Sequence, residues 1–325
     1  VKISSIGERD LVESMFRTGH IHGGDNDCIE IPLGKKRLLA STDSVSYDTN
    51  IPGEASADQI GKFLAAINLS DIAAMAGNPI GMLSSFNLPG KTDSEFVLKL
   101  VESIDEELNI YDAEYLGGDT KESSVMVLSG TIIGEQKEGL IRRRSDIRPD
   151  QVLCVTGDLG RAAAGYTFYR LGYRKKLGID LMMDIAPRIR EAKIISENGG
   201  KFMTDLSDGV FESILKVKRD FGIGFRIVQD EIPVNNHVKK AIQLSGGSVN
   251  DLALSFGGDY EILFTIENTN YADFKSAMES EKIHVSYIGD TWKGDNMIFN
   301  GRSWSPILGG GYQHFAPAPK IGSIS

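Results

Sequence analysis

Five times along this 325-residue chain, a strand-like or apolar stretch ends in glycine, small hydroxyl residues and aspartate. The five are Gly23-Gly24-Asp25-Asn26-Asp27, Ser41-Thr42-Asp43, Gly117-Gly118-Asp119-Thr120, Asp205-Leu206-Ser207-Asp208-Gly209 and Gly257-Gly258-Asp259. Taken singly, each reads as a turn, because Asp and Gly favour the dihedrals found where strands stop. Taken together, they describe a fold in which many acids sit at turns, where residues distant in sequence can converge. Glycine is enriched to match, at 36 residues, as tight turns or close backbone approach to a ligand require.

A sixth acid is of a different kind. Ala57–Gly77 has helical periodicity, with Ile60, Leu64, Ile67 and Met75 on one stripe, and Asp71 falls among them. A carboxylate on a buried stripe costs several kcal/mol, on the order of the penalty for an unpaired buried ion, unless something compensates. Either a basic partner or a metal ion would do so.

Several classes are excluded. Net charge is −10, from 45 acidic and 35 basic residues, which argues against general nucleic-acid binding. It does not argue against a nucleotide, since metal ions reverse the local sign. No apolar run approaches the roughly 18 residues that a membrane-spanning helix needs. The two cysteines, Cys28 and Cys154, make no disulfide framework, and no charged-then-apolar leader is seen, so a cytoplasmic setting is expected. No P-loop occurs: Gly61-Lys62 is followed by Phe63, with no upstream glycine at the right distance. Gly157–Gly165 follows a strand and opens a helix, but lacks G-x-G-x-x-G spacing. Asp25–Asp27 has Glu30 and Lys36 where a calcium loop wants Gly and Glu. No zinc spacing or nucleophile elbow is present.

Strands are expected at Ile80–Leu88, Ser124–Ile133, Val152–Thr156, Ile223–Val228, Ile262–Ile266 and His284–Ile288. Helices are expected after a Thr92/Glu95 capping box and over Ala186–Asn198, Gly209–Arg219, Val238–Leu244 and Tyr271–Ser280. The polar, basic stretch Lys137–Pro149 suggests a boundary, giving domains 1–145 and 146–325. The class is α+β. Magnesium suits the acids: it takes one or two carboxylates together with substrate phosphate and water. Phosphoryl transfer then needs alignment and charge stabilisation rather than a catalytic side chain.

The same residues carry a family resemblance. GDNDC at Gly24–Cys28, STD at Ser41–Asp43, NLSDIAAMAGNP at Asn68–Pro79, YLGGDT at Tyr115–Thr120, VTGDLGRAAAG at Val155–Gly165, DLSDG at Asp205–Gly209, GGDYEILFT at Gly257–Thr265 and GYQHF at Gly311–Phe315 resemble, in order and spacing, the thiamine-monophosphate kinases. That family shares a superfamily with aminoimidazole ribonucleotide synthetase. The resemblance implies an N-terminal mixed sheet forming a barrel across a homodimer, and a C-terminal α/β sandwich-like domain. It implies transfer of the ATP γ-phosphate onto thiamine monophosphate without a phospho-enzyme. Asp27, Ser41, Thr42, Asp43, Asp71, Asp119, Asp205 and Asp208 would hold several magnesium ions. Tyr111, Gly118, Asp119, Arg144 and Ser207 would contact ATP. Asn50, Asp259 and Tyr312 would meet the acceptor. Two positions depart from the family: Asn50 stands where a histidine is usual, and Gly258 where a glutamate is. A cyclo-ligase-type enzyme that activates another acceptor with ATP is the alternative.

Overall fold

A computed structural model describes residues 2–23, 26–311 and 315. In chain order its elements are α1 (Gly7–Arg17), β1 (Ile29–Leu33), β2 (Lys36–Ser46), α2 (Ala57–Ala74), β3 (Asn78–Leu88), α3 (Ser94–Asn109), β4 (Glu114–Glu122), β5 (Val127–Lys137), β6 (Gln151–Thr156), α4 (Arg161–Arg170), α5 (Lys175–Met183), α6 (Ile189–Glu197), β7 (Gly200–Asp205), α7 (Val210–Phe221), β8 (Gly224–Val228), α8 (Asn236–Ser245), β9 (Ile262–Glu267), α9 (Tyr271–Ser280), β10 (Val285–Trp292), β11 (Met297–Phe299) and β12 (Trp304–Pro306). The class is α+β. Among the described residues the strands make two mixed sheets, ordered β1-β2-β5-β3-β4 and β12-β11-β8-β10-β6-β9-β7.

Helix α2 lies between the sheets. A capping box starts it: Ser56 Oγ accepts from the Gln59 N–H at 3.2 Å, and Gln59 Oε1 accepts from the Ser56 N–H at 3.0 Å. It is apolar nearly all round, and Ile60, Leu64, Leu69 and Ile72 are fully buried, as expected of a helix enclosed on every side. Gly61 lets α3 cross closely, since a Cβ there would stand 2.5 Å from the Leu100 carbonyl oxygen. Helix α3 is capped by Asp93, whose side chain accepts from the Glu95 N–H at 2.9 Å, and not by the expected Thr92. The Thr92 N–H itself closes a turn onto the Pro89 carbonyl.

The first sheet has two unlike faces. Leu39, Ser41, Asp43 and Val45 of β2 share a face with Leu128, Gly130 and Ile132 of β5, and that face meets α2. The other face carries Ile29, Ile31 and Leu33 of β1 and Leu83 of β3, exposed at 46%, 48%, 59% and 40%. The sheet is open, ending in edge strands β1 and β4, and a single chain closes no barrel.

The second sheet is covered on both faces. Leu153 and Val155 of β6 and Phe202 of β7 pack with Val210, Ile214 and Val217 of α7. Val152, Cys154, Met203 and Phe264 turn the other way, onto α6, α9 and the end of α2 at Ala73 and Ala74. The expected boundary at 145 lies between the strands of the two sheets, but the cores are shared: Ile179, Met183 and Ile185 join the α2 cluster. No helix among the described residues is long and apolar enough to cross a membrane.

Candidate active site

Adjacent residues on α2 face different sheets, and this assembles the site. Asp71 accepts from Ser41 Oγ at 2.5 Å, on the first sheet. Ser70 Oγ donates to Asp205 Oδ2 at 2.7 Å, at the end of β7 on the second. Cys28 Sγ donates to the Asp71 carbonyl at 3.3 Å and ties down the loop that carries Asp27. Asp27, Asp71 and Asp205 each present an oxygen within 4.8 Å of the others. Asp43 adjoins them: its N–H donates to Asn68 Oδ1 at 3.3 Å, while Asn68 Nδ2 donates back to the Leu64 carbonyl at 2.9 Å. Gly130 lies opposite Asp43, and a Cβ there would come within 2.4 Å of Asn68 Nδ2.

The electrostatics of this cluster do not balance internally. Two carboxylates 4.8 Å apart repel by about 3–4 kcal/mol at an effective dielectric near 20. Arg144 is ion-paired to Asp27, and its Nε donates to Thr204 Oγ1 at 3.1 Å, while the Lys216 charge also acts on Asp27. Asp71 has no ion pair among the described residues, so the basic partner left open by the sequence is not what accommodates it. Burial first, and the neighbouring aspartates second, push Asp71 well above the ordinary carboxylate range. Burial, with the Asp27 charge, likewise raises Asp43 to about 6 and Asp205 to about 7. Asp27 Oδ2 is buried and accepts no hydrogen bond. An orphaned carboxylate oxygen amid two more buried acids fits a hard divalent cation, which takes oxygen ligands and supplies the missing charge.

A family model described as "AIR synthase related protein, N-terminal domain" matches residues 23–136. The thiamine-monophosphate kinase of Pyrococcus horikoshii is 26% identical over 95% of this chain and 99% of its own. That of Methanospirillum hungatei is 28% identical over 90% of this chain and 95% of its own. A solved structure described as AaThiL complexed with AMPPCP and TMP superposes with a TM-score of 0.86 at 22% identity, covering 97% and 99% of the two chains. Over nearly its whole length the chain is similar to thiamine-monophosphate kinases. In the last of these relatives AMPPCP and TMP are bound together on the same fold.

Within that family frame, the residues expected at the site divide. Asp27, Asp43, Asp71 and Asp205 come together, with Ser41 as a hydrogen-bond donor to one of them. Thr42 does not join. Its neighbours Ser41 and Asp43 face α2, so it takes the opposite face, where its hydroxyl donates to the Gly130 carbonyl at 2.7 Å. Asp119 stands apart too, exposed on edge strand β4 near Lys121 at 3.7 Å. The register Ser44–Ser129–Ser85–Asp119 puts three strand spacings, about 14 Å, between its row on β2 and its own position. Gly118 must be glycine, since a Cβ would overlap the Ser84 carbonyl oxygen at 1.7 Å.

Tyr111 is half-buried beside Glu107, Glu191 and Arg188, and burial pushes its hydroxyl up to about 12. Ser207 and Asp208 follow Asp205, Asp208 being exposed. Asn50 is exposed, and its amide oxygen accepts from the Ser46 N–H at 3.1 Å and Thr49 Oγ1 at 2.9 Å. Asp259, expected at the acceptor, is engaged by main-chain donors. Its two oxygens accept from the Gly160 and Ala162 N–H groups at 2.6 and 3.0 Å, holding the start of α4. Tyr312 lies outside the described residues. Ser70, Asn68, Thr204 and Cys28 went unread as supports. Their signal was available, because each flanks a motif acid or lies one helical turn or less from Asp71.

Proposed function

We propose that the protein is an ATP-dependent kinase that transfers the γ-phosphate of ATP onto thiamine monophosphate, giving thiamine diphosphate and ADP. The observation that carries this reading is the Asp27/Asp71/Asp205 cluster with its unshared buried oxygen, in a chain that spans the full length of kinases of this name. Asp27, Asp71 and Asp205 would hold magnesium, with Asp43 and Asp208 beside them. Bound there, the metal neutralises phosphate charge and polarises the γ-phosphoryl group.

The chain's own residues orient and exclude. Ser41, Ser70 and Thr204 fix the carboxylates by hydrogen bonds to Asp71, Asp205 and Asp27. Arg144 balances Asp27 and would contact nucleotide phosphate. The acceptor's phosphate is already anionic at neutral pH, so no side chain need remove a proton. Its oxygen forms the new bond to the γ-phosphorus as the bond to the β-phosphate oxygen breaks, and ADP leaves. Ser207 would meet ATP near the cluster.

The uncovered apolar face of the first sheet supports a homodimer in which Ile29, Ile31, Leu33 and Leu83 are buried against a second copy. Asp119 and Gly118, on edge strand β4 and apart from the cluster within one chain, would then serve, with Tyr111, a nucleotide site near that interface. The test of function is product analysis. Purified protein with Mg-ATP and thiamine monophosphate should form equimolar ADP and thiamine diphosphate. Release of free phosphate in place of the diphosphate would favour the cyclo-ligase alternative and sink the kinase reading.

A further inference from the structure

Asp259, Tyr260 and Glu261 are consecutive, and both acids are spent inside the chain. Asp259 holds the Gly160 and Ala162 N–H groups. Glu261 is buried, and Arg188 grips it with Nε to Oε2 at 2.7 Å and Nη2 to Oε1 at 2.5 Å. Thr156 Oγ1 donates to it at 2.6 Å. Between these two, Tyr260 turns the other way. Its ring packs on the cluster around α2 and meets Phe63 edge-on, with centroids 6.3 Å apart and planes at 86°.

The main chain is bent to present it. Tyr260 has a φ of +52°, a left-handed conformation that costs any residue with a Cβ. Three main-chain hydrogen bonds hold it there. The Tyr260 N–H donates to the Leu206 carbonyl at 3.2 Å, the Leu206 N–H to the Glu261 carbonyl at 2.9 Å, and the Gly258 N–H to the Ser207 carbonyl at 2.7 Å. Gly257 runs so close to the same loop that a Cβ would stand 2.2 Å from the Ser207 carbonyl oxygen. That loop carries Asp205 and Asp208, so the tyrosine and these acids are fixed to one another through the backbone.

The phenol faces the acid cluster. Burial first, then the charges of Asp43, Asp205, Asp208 and Asp71, push its hydroxyl well above the ordinary range of a tyrosine. Near neutral pH it is an uncharged O–H donor. The other hydroxyls of the site are already engaged, those of Ser41, Ser70 and Thr204 serving Asp71, Asp205 and Asp27. The Tyr260 hydroxyl donates to no described residue, and the residue is only partly buried, open to a bound group.

We propose that Tyr260 contacts the reacting group: its hydroxyl donates a hydrogen bond to an oxygen of the phosphoryl group in transfer. The inference deepens the kinase reading given above and rests on it. Charge in the transition state spreads over three equatorial phosphoryl oxygens. Metal held by the carboxylates answers part of it. An uncharged donor fixed beside those carboxylates answers more, without repelling either them or the phosphate. The hydroxyl keeps its proton throughout and forms no covalent bond.

The experiment compares wild type with Tyr260→Phe in the full chain. The substitution keeps the ring, its contact with Phe63 and the main-chain bonds, and removes the hydroxyl alone. With Mg-ATP and thiamine monophosphate, kcat should fall about 100-fold, with both KM values within about threefold of wild type. Binding gives a readout independent of turnover. Affinity for Mg-ADP-aluminium fluoride, a mimic of the group in transfer, should fall about 30-fold or more, while affinity for Mg-AMPPCP stays within about threefold. A kcat within about threefold of wild type, an equal loss of affinity for both nucleotides, or loss of the fold in the variant overturns the proposal. If wild type makes no thiamine diphosphate, the kinase reading fails; the two nucleotide affinities alone then decide whether Tyr260 is the donor.

Discussion

Asp71 and Asp259 are both aspartates that burial pushes up, Asp71 far above the ordinary range and Asp259 to about 7, yet their surroundings differ in kind. Asp259 has two main-chain N–H donors from the first turn of α4. Asp71 has a single serine hydroxyl and three other aspartates around it. The first carboxylate is satisfied by the fold itself. The second has no such provision: burial and the neighbouring aspartates favour its protonated form, and a bound cation would favour its charged one. Exposure of a carboxylate says little about its role; what matters is whether its oxygens are already provided for. The same contrast separates the two halves of the site. The cluster around Asp71 is a crowd of acids short of positive charge, whereas Asn50 and Asp259 are engaged in a local turn and a cap.

The largest effect that would break this contrast is on turnover. Asp71→Asn should lower kcat by about 10²–10³-fold or more, on the scale of losing one preorganised electrostatic contact. Without metal the variant should melt no lower than wild type, because it removes repulsion and no ion pair. A metal-free variant that melts several degrees lower would mean that Asp71 is held by a cation in the fold.

The pH dependence of the metal-free protein comes next. Asp43 and Asp205 have folded-state values raised to about 6 and about 7, against 3.8 as reference. Between pH 4 and 7 the folded chain therefore binds more protons than the unfolded one, and stability falls as pH rises. The melting temperature should drop by about 5 °C or more from pH 5 to pH 7.5 in chelator, and saturating magnesium should abolish most of the drop. A flat metal-free profile would show that the acids are compensated within the chain. A third measurement concerns the open sheet face: Ile31→Arg places a charge between Ile29 and Leu33 on β1. It should convert a dimer to monomer in sedimentation, with activity falling in parallel because Asp119 and Gly118 would lose their counterpart site.

The smallest effect belongs to Asp259. Asp259→Ala removes the cap on α4 and should cost about 1–2 kcal/mol in denaturant titration, with KM for thiamine monophosphate within about threefold of wild type. An acceptor KM raised tenfold or more at unchanged stability would return Asp259 to the substrate.

Much of the scaffold was readable because periodicity reports burial. The stripe over Ala57–Gly77 becomes α2, Tyr271–Ser280 is α9, and Val152–Thr156 is the buried centre of the second sheet. Elements with little burial were not readable. Helix α1 buries no residue, and β4 is polar along an edge, so neither leaves a core pattern in the sequence. The site divides in the same way. Alternation along β2 already contains the answer for Thr42: if Ser41 and Asp43 face the core, Thr42 must turn away.

The sequence by itself determined the acids, their place at turns and the anomaly of Asp71 on an apolar helix, because composition and spacing are local properties. Which acids share a site was decided only by the tertiary structure. Asp71 and Asp205 are 134 residues apart in number, and they meet because neighbouring positions on α2 point to different sheets. Asp43 and Asp119 belong to one sheet but stay apart, because strand order places β5 and β3 between them. Convergence depends on register, strand order and the face a side chain takes, and each of these is set by packing between segments that no local pattern connects.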